Sequence, residues 1–343
     1  MKAKSSCVMG VDRRTACLSF LFAATAGCAQ AGGSKIVAGA ISWPNFKAAF
    51  LDPSGRIIDN GNGGISHSEG QGYGMALALR GGDQAAFDTI FRWSEANLAN
   101  RDTGLYAWRY DPRQPNPVGD QNNASDGDIF IAWALADAAR KWKNPSYASR
   151  SAEIRRAIRS SLVLERYGRS LLLPGVQGFV KPDAVTLNPA YFIWPALDAF
   201  RLLDGDAVWG KVIADSEAIA SASRFGPLHL PTDWIDISGP AIVSPASGRP
   251  ARFGFDAIRV PLYAKSGRRT SLLAPVANFW QAYVGKGKPI PAWIDVESGE
   301  EAPYALSSGG MAVASRTLGL QEPLDLSADY YAAVLQMLAR FLP

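Results

Sequence analysis

The 343-residue sequence predicts an all-α fold. Two observations carry that expectation. Eleven stretches repeat apolar residues at three- and four-residue intervals, whereas strand-like alternation is confined to short pieces near 56–58 and 241–243. The helical stretches run over 43–52, 69–80, 84–99, 126–142, 148–164, 189–203, 207–222, 256–265, 271–284, 309–317 and 327–341, separated by loops rich in Gly, Pro, Asn and Asp. There is no repeat at a fixed period and no linker that marks an internal boundary. Many short helices in series suit a closed ring of helical hairpins better than a long bundle. Periodicity alone leaves an irregular helical fold open as well.

Taken in order, the chain opens with a leader pattern. Lys2, Lys4, Arg13 and Arg14 precede an apolar run from Ala16 to Ala26, and Ala29-Gln30-Ala31 fits a small-residue cleavage site. The expected organisation is therefore a signal peptide over 1–31 and a single domain over 32–343, exported to the periplasm or beyond. Arg13-Arg14 admits a twin-arginine signal. Thr25-Ala26-Gly27-Cys28 is a weaker lipoprotein box, because Thr25 stands where a large aliphatic residue is usual. The apolar run is too short for a spanning helix.

All three cysteines, Cys7, Cys17 and Cys28, fall in the leader, so the remaining chain has no thiolate for a disulfide, a metal or nucleophilic attack. The two histidines, His67 and His229, are too few for a multi-histidine zinc site. The leader holds four basic side chains against one acid, which accounts for three of the four net positive charges. The rest is close to neutral, which argues against a nucleic-acid partner.

Among the helices, 84–99 shows the pattern plainly, with Ala86, Phe87, Ile90, Phe91 and Trp93 on one face; Tyr330, Tyr331, Val334, Leu335 and Leu338 repeat it near the end. The loop before 126–142 gathers Tyr106, Trp108, Tyr110, Asn122 and Asn123. Flat rings stack on the C–H faces of sugars and amides bind hydroxyls. The same rings also serve to cover helix ends.

Three helix starts carry carboxylates. In His67-Ser68-Glu69-Gly70-Gln71-Gly72-Tyr73-Gly74, Glu69 opens an apolar helix, and both Ser66-x-x-Glu69 and Ser68-x-x-Gln71 read as capping boxes. In Ala124-Ser125-Asp126-Gly127-Asp128, Ser125 and Asp128 make an N-cap pair, which leaves Asp126 unexplained. In Phe253-Gly254-Phe255-Asp256-Ala257-Ile258-Arg259, Asp256 and Arg259 are spaced to pair on one helical face. A carboxylate held by a guanidinium stays charged, as a general base must. Each motif alone has an ordinary structural explanation.

Together, the Ser-Glu-Gly-x-Gly-Tyr-Gly-Met run at 68–75, the Ala-Ser-Asp-Gly-Asp run at 124–128 extending to Trp142, and 253–259 resemble glycoside hydrolase family 8. Leu187-Asn188-Pro189-Ala190-Tyr191 and Tyr330-Tyr331 add to the resemblance, which spans about 36–341. It implies an (α/α)6 barrel and inverting hydrolysis of a β-1,4-linked polymer without a cofactor. Carried over by motif, Glu69 is the general acid, Asp256 the general base, and Asp126 the carboxylate that distorts the sugar, a position some descriptions call the nucleophile. Arg259, Asn188, Tyr191, Trp108, Tyr330 and Tyr331 are implied to bind substrate. In an inverting enzyme, acid and base stand about 6.5–9.5 Å apart, with water between. Phe255 replaces a tyrosine that many relatives carry beside the base.

The intact base motif favours glucan over chitosan. The compact chain resembles the periplasmic endoglucanases encoded with bacterial cellulose synthases, which implies a β-1,4-glucan chain as ligand and the synthase complex as a partner. The rivals are a xylanase or chitosanase of the same family and a non-catalytic glucan-binding assembly protein. A serine hydrolase using Ser66 or Ser68 with His67 is a distant third, since no G-x-S-x-G turn is present.

Overall fold

A computed structural model describes residues 39–343, so the leader expected over 1–31 lies outside the described residues. Eleven α-helices follow in order: α1 Trp43–Phe50, α2 Ser68–Arg80, α3 Gln84–Asn97, α4 Ser125–Trp142, α5 Pro145–Leu162, α6 Trp194–Asp204, α7 Asp206–Ala222, α8 Arg259–Ser266, α9 Ala274–Val284, α10 Ser308–Leu318 and α11 Tyr330–Phe341. Contacts run from α2 to α4, α6, α8, α10, α11 and back to α2, which closes a ring. Helices α3, α5 and α7 pack on α2, α4 and α6; α9 packs on α10, and α1 on α11. This is the (α/α)6 architecture expected from the sequence. No helix among the described residues is long and apolar enough to cross a membrane.

Local chemistry explains where the helices start. Asp83 accepts the Ala86 N–H ahead of α3, Ser307 that of Gly310 ahead of α10, and Asp329 that of Ala332 ahead of α11. Asn144 caps α5 with Pro145 in its first turn, so this helix begins three residues before the expected 148. The stretch expected over 189–203 divides. Asn188 caps a single 3-10 turn, Pro189–Tyr191, and α6 starts afresh at Trp194 with Pro195 behind it. The stretch expected from 256 begins only at Arg259, so Asp256 lies on the turn before α8.

Strands are short and sit at the ring's edge. Ser66–His67 pairs with Arg109–Tyr110. Val185–Leu187, Ile235–Ile237 and Val243–Pro245 form a three-stranded antiparallel sheet, whose last strand lies close to the alternation read at 241–243. Near 56–58 there is one bridge, Leu51 to Ile57. A hairpin, Val163–Arg166 with Arg169–Leu172, escaped the helical reading. Its two-residue turn is Tyr167-Gly168, both at positive φ.

The core is continuous where α2 meets α4. Ile129, Phe130, Ile131, Ala132 and Leu135 are all fully buried. Phe130 meets Tyr73 edge-on at 4.7 Å between ring centroids and lies 5.9 Å from Tyr263. Burying such a ring contributes about 1.5–3 kcal/mol. Gly127 lets the helix starts touch: a Cβ there would come within 2.2 Å of Ser68 Oγ and 2.7 Å of the Glu69 backbone nitrogen. A side chain at 127 would drive the two first turns apart, and with them Glu69 and Asp126.

Candidate active site

The capping explanation for Glu69 fails in the structure. The cap of α2 is His67, whose Nδ1 accepts the Gly70 N–H at 3.3 Å. Gln71 faces inward, accepting the Ile57 N–H at 2.7 Å and donating to Gly55 O and Ser94 Oγ. Glu69 is thereby spared a backbone duty. Its Oε1 accepts the Tyr73 hydroxyl at 2.7 Å and pairs with Arg259 Nη1.

Arg259 is the hub. It is 3% exposed although it opens α8, so it is no surface residue. Its other terminal nitrogen, Nη2, donates to Asp256 Oδ1 at 2.5 Å, and Nη1 lies 3.9 Å from Asp126 Oδ2. One guanidinium thus separates Glu69 from Asp256, although the two are far apart along the chain. The Arg259 guanidinium thus faces three carboxyl groups. Burial pushes Asp126 up to about 7, against the Gly127 N–H, His67 and Tyr191, which favour its charge. Burial, then the charges of Asp233 and Asp126, raise Asp256 well above the usual carboxylate range; Asn188 and Arg249 oppose them.

Asp128, two residues from Asp126, has a different task. It accepts the Tyr106 N–H at 2.8 Å and Asn123 Nδ2 at 2.7 Å. The expected Ser125 cap is absent: α4 starts on Ala124 without a side-chain cap, and Ser125 Oγ is buried with no partner among the described residues. Burial also raises Asp128 to about 7. The amides expected to reach sugar hydroxyls hold loops instead, since Asn122 bonds both backbone groups of Gln177 and Asn123 accepts the Val176 N–H.

Most of the other expected residues converge. Asn188 is 1% exposed; its oxygen accepts the Ala190 N–H, and its Nδ2 makes no hydrogen bond among the described residues yet stands near enough to Asp256 to favour that carboxyl's charge. The Tyr191 hydroxyl stands near enough to Asp126 to favour that carboxyl's charge, and the Arg259 guanidinium lies 6.0 Å from the Tyr191 ring centre. Trp108 borders the acid side: its carbonyl accepts the Ser68 N–H at 3.1 Å and its indole donates to Asp120 at 2.8 Å. The Tyr331 hydroxyl donates to the carbonyl of Phe255, beside the base.

Tyr330 lies deeper: at 1% exposure, its ring meets Phe50 and His67 edge-on as part of the floor. The serine hydrolase alternative also fails on geometry. Ser66 Oγ donates to Ile57 O, and His67 is engaged by Gly70 N–H and Asp59.

Two groups were missed. Tyr73 and Tyr263 join hydroxyls at 3.0 Å behind Glu69, and burial raises both phenols. Tyr73 stood inside a quoted motif, four residues after Glu69, where helical spacing puts it on the same face. Asp233, which holds the turn carrying Asp256, had no signal in the sequence, because its partners lie more than twenty residues on.

Comparison with known proteins identifies the family and agrees with the fold. The model of glycosyl hydrolases family 8 matches residues 9–342. An endoglucanase of Cellulomonas uda is 41% identical over 285 residues, covering 83% of this chain and 78% of the relative. The crystal structure of a family 8 endoglucanase from Klebsiella pneumoniae superposes with a TM-score of 0.83 at 40% identity, over 87% of this chain and 96% of that one. The endo-β-1,4-glucanase of Acetobacter xylinum gives a TM-score of 0.84 at 38% identity, over 88% and 97%.

Proposed function

The chain belongs to glycosyl hydrolase family 8, and from that premise we propose that it cuts internal β-1,4-glucosidic bonds of a soluble or amorphous glucan with inversion at the anomeric carbon. The observation that carries this reading is the Arg259 guanidinium, with Glu69 on one terminal nitrogen and Asp256 on the other. A pair of carboxyl groups set apart rather than touching suits inversion, which needs room for a water between base and sugar. The relatives named above are endoglucanases, which supports glucan as the polymer.

In this scheme Glu69 gives its proton to the departing glycosidic oxygen. Asp256 takes a proton from the water that attacks the anomeric carbon from the opposite face, and solvent returns the proton to Glu69. Asp126 binds the sugar at the cleavage point and favours its distorted ring. Asn188, with an unspent donor beside Asp256, helps hold the water or a hydroxyl. Tyr191, Tyr331 and Trp108 border the sugar path.

The test is turnover of carboxymethylcellulose, xylan and chitosan, with NMR of the fresh product. Glucan cleavage giving the α-anomer is expected. Preferred cleavage of xylan or chitosan moves the substrate, and a β-anomer removes inversion. A protein that binds cello-oligosaccharide without cutting it would instead be an assembly factor.

We further propose that residues 1–31 form an export signal and that the enzyme trims nascent cellulose beside the synthase. N-terminal sequencing of the exported protein should begin near residue 32. Deleting the gene should change the amount or crystallinity of secreted cellulose.

A further inference from the structure

The turn that carries Asp256 has no helix or strand of its own to hold it; it lies between the short strand Arg252–Phe253 and the start of α8. The Tyr331 hydroxyl holds its Phe255 carbonyl, and one carboxylate oxygen holds its N–H groups. Asp233 Oδ1 accepts the backbone N–H groups of Gly254 at 3.2 Å, Asp256 at 3.0 Å and Ala257 at 2.7 Å. Three N–H groups aimed at one oxygen make an anion nest built from the base's own backbone. The other oxygen, Oδ2, sits 2.7 Å from where a Cβ at Gly254 would be. Asp233 is itself anchored, since its N–H donates to Arg252 O at 2.8 Å.

We propose that Asp233 is a positioning residue for the hydrolytic reaction: it fixes the 254–257 turn from which Asp256 projects and sets a negative charge behind that carboxylate. This rests on Asp256 being the base.

The charge matters as well as the clamp. The groups facing Asp256 are Asp233 behind it, Asp126 from α4, Arg259 and the buried Tyr263 from α8, Arg249 and Asn188 from the loops, and Tyr191 and Tyr331. Glu69 lies across Arg259. Arg259, Arg249 and Asn188 favour the carboxylate form and would leave a weak base. Asp233 and Asp126 oppose them. Burial raises Asp233 to about 6, against its three N–H donors and Arg252, so it is charged above that pH. The charge makes Asp256 a stronger proton acceptor once Asp256 has ionised.

The deciding experiment is Asp233→Asn, which keeps an acceptor oxygen for the nest and removes the charge. With the charge gone, Asp256 ionises at lower pH and accepts a proton less well. On carboxymethylcellulose, kcat should fall roughly 3- to 10-fold with KM within about twofold. The acidic limb of the pH profile of kcat/KM should move down by about one unit. An unchanged profile with unchanged kcat overturns the proposal. So does a loss of thermal stability in which the folded enzyme keeps its kcat, since that describes a scaffold only.

If the Asn variant does not fold, Gly254→Ala presses on the same clamp from the other side. A kcat loss at constant KM then supports the proposal, and normal kcat overturns it. Asp256→Asn is measured alongside. If it retains turnover, the assignment of the base fails and this inference falls with it. If it is inactive while Asp233→Asn behaves as wild type, only this inference fails.

Discussion

The two halves of the candidate site are built in different ways. On the acid side, Glu69 and Asp126 occupy the first turns of α2 and α4, long helices pressed together across Gly127 and backed by Phe130. Helix geometry and a full core hold those carboxyls. On the base side, Asp256 rides a turn whose backbone is pinned by two distant side chains, Asp233 on its N–H groups and Tyr331 on the Phe255 carbonyl. A rigid wall thus faces a tethered turn, and Arg259 joins them. Errors on the first side should appear mainly as lost stability, and errors on the second mainly as lost turnover.

The comparison breaks hardest at the carboxyls themselves. Glu69→Gln and Asp256→Asn should each lower kcat about 10²–10⁴-fold while cello-oligosaccharide still binds, as read by turnover and by calorimetry. Near-normal turnover in either removes that residue from its role. Next comes Phe130→Ala, which empties the middle of the rigid wall and should lower stability by about 3–5 kcal/mol in chemical denaturation. Gly127→Ala forces a methyl group into the contact between α2 and α4, at an expected loss of about 1–3 kcal/mol in the same measurement.

A subtler contrast lies between Asp126 and Asp128, two residues apart on α4. Burial raises Asp128 from its ordinary 3.8 to about 7 in the folded protein. Between those values the native state holds a proton that the unfolded chain has released. Its contribution to stability is therefore complete below about pH 4 and is lost as pH rises through 7. Asp128→Asn should flatten that part of a plot of melting temperature against pH, and an unaltered slope would refute the assignment. The smallest expected effect is at the rim: Trp108→Ala should raise KM for soluble glucan about 2- to 10-fold and leave kcat little changed, in line with the loss of one ring–sugar contact.

Much of this was legible before any coordinates. The eleven helical stretches correspond to α1–α11, because apolar residues at helical spacing must be buried together wherever the helix ends up. The errors cluster where local pattern competes with a tertiary partner. Ser66-x-x-Glu69 and Ser125-x-x-Asp128 are good capping sequences, yet neither serves as a cap, because Arg259 draws on Glu69 and the Tyr106–Asn123 loop draws on Asp128. Tyr330 and Tyr331 are neighbours in sequence and point to opposite fates, floor and rim, since consecutive helical residues face about 100° apart. Asp233 resembles any loop aspartate until its three backbone donors are seen.

By itself the sequence determined the helical fold class, the ring's building blocks and the three motifs that contain the acidic side chains, since these follow from periodicity and residue chemistry within short windows. Only the tertiary structure decided which of those acids share a guanidinium, which one is spent on a loop, and what holds the turn under Asp256. The reason is physical: propensity and patterning act over a few residues, whereas a carboxylate's charge and direction depend on whatever the completed ring brings within a few ångströms of it.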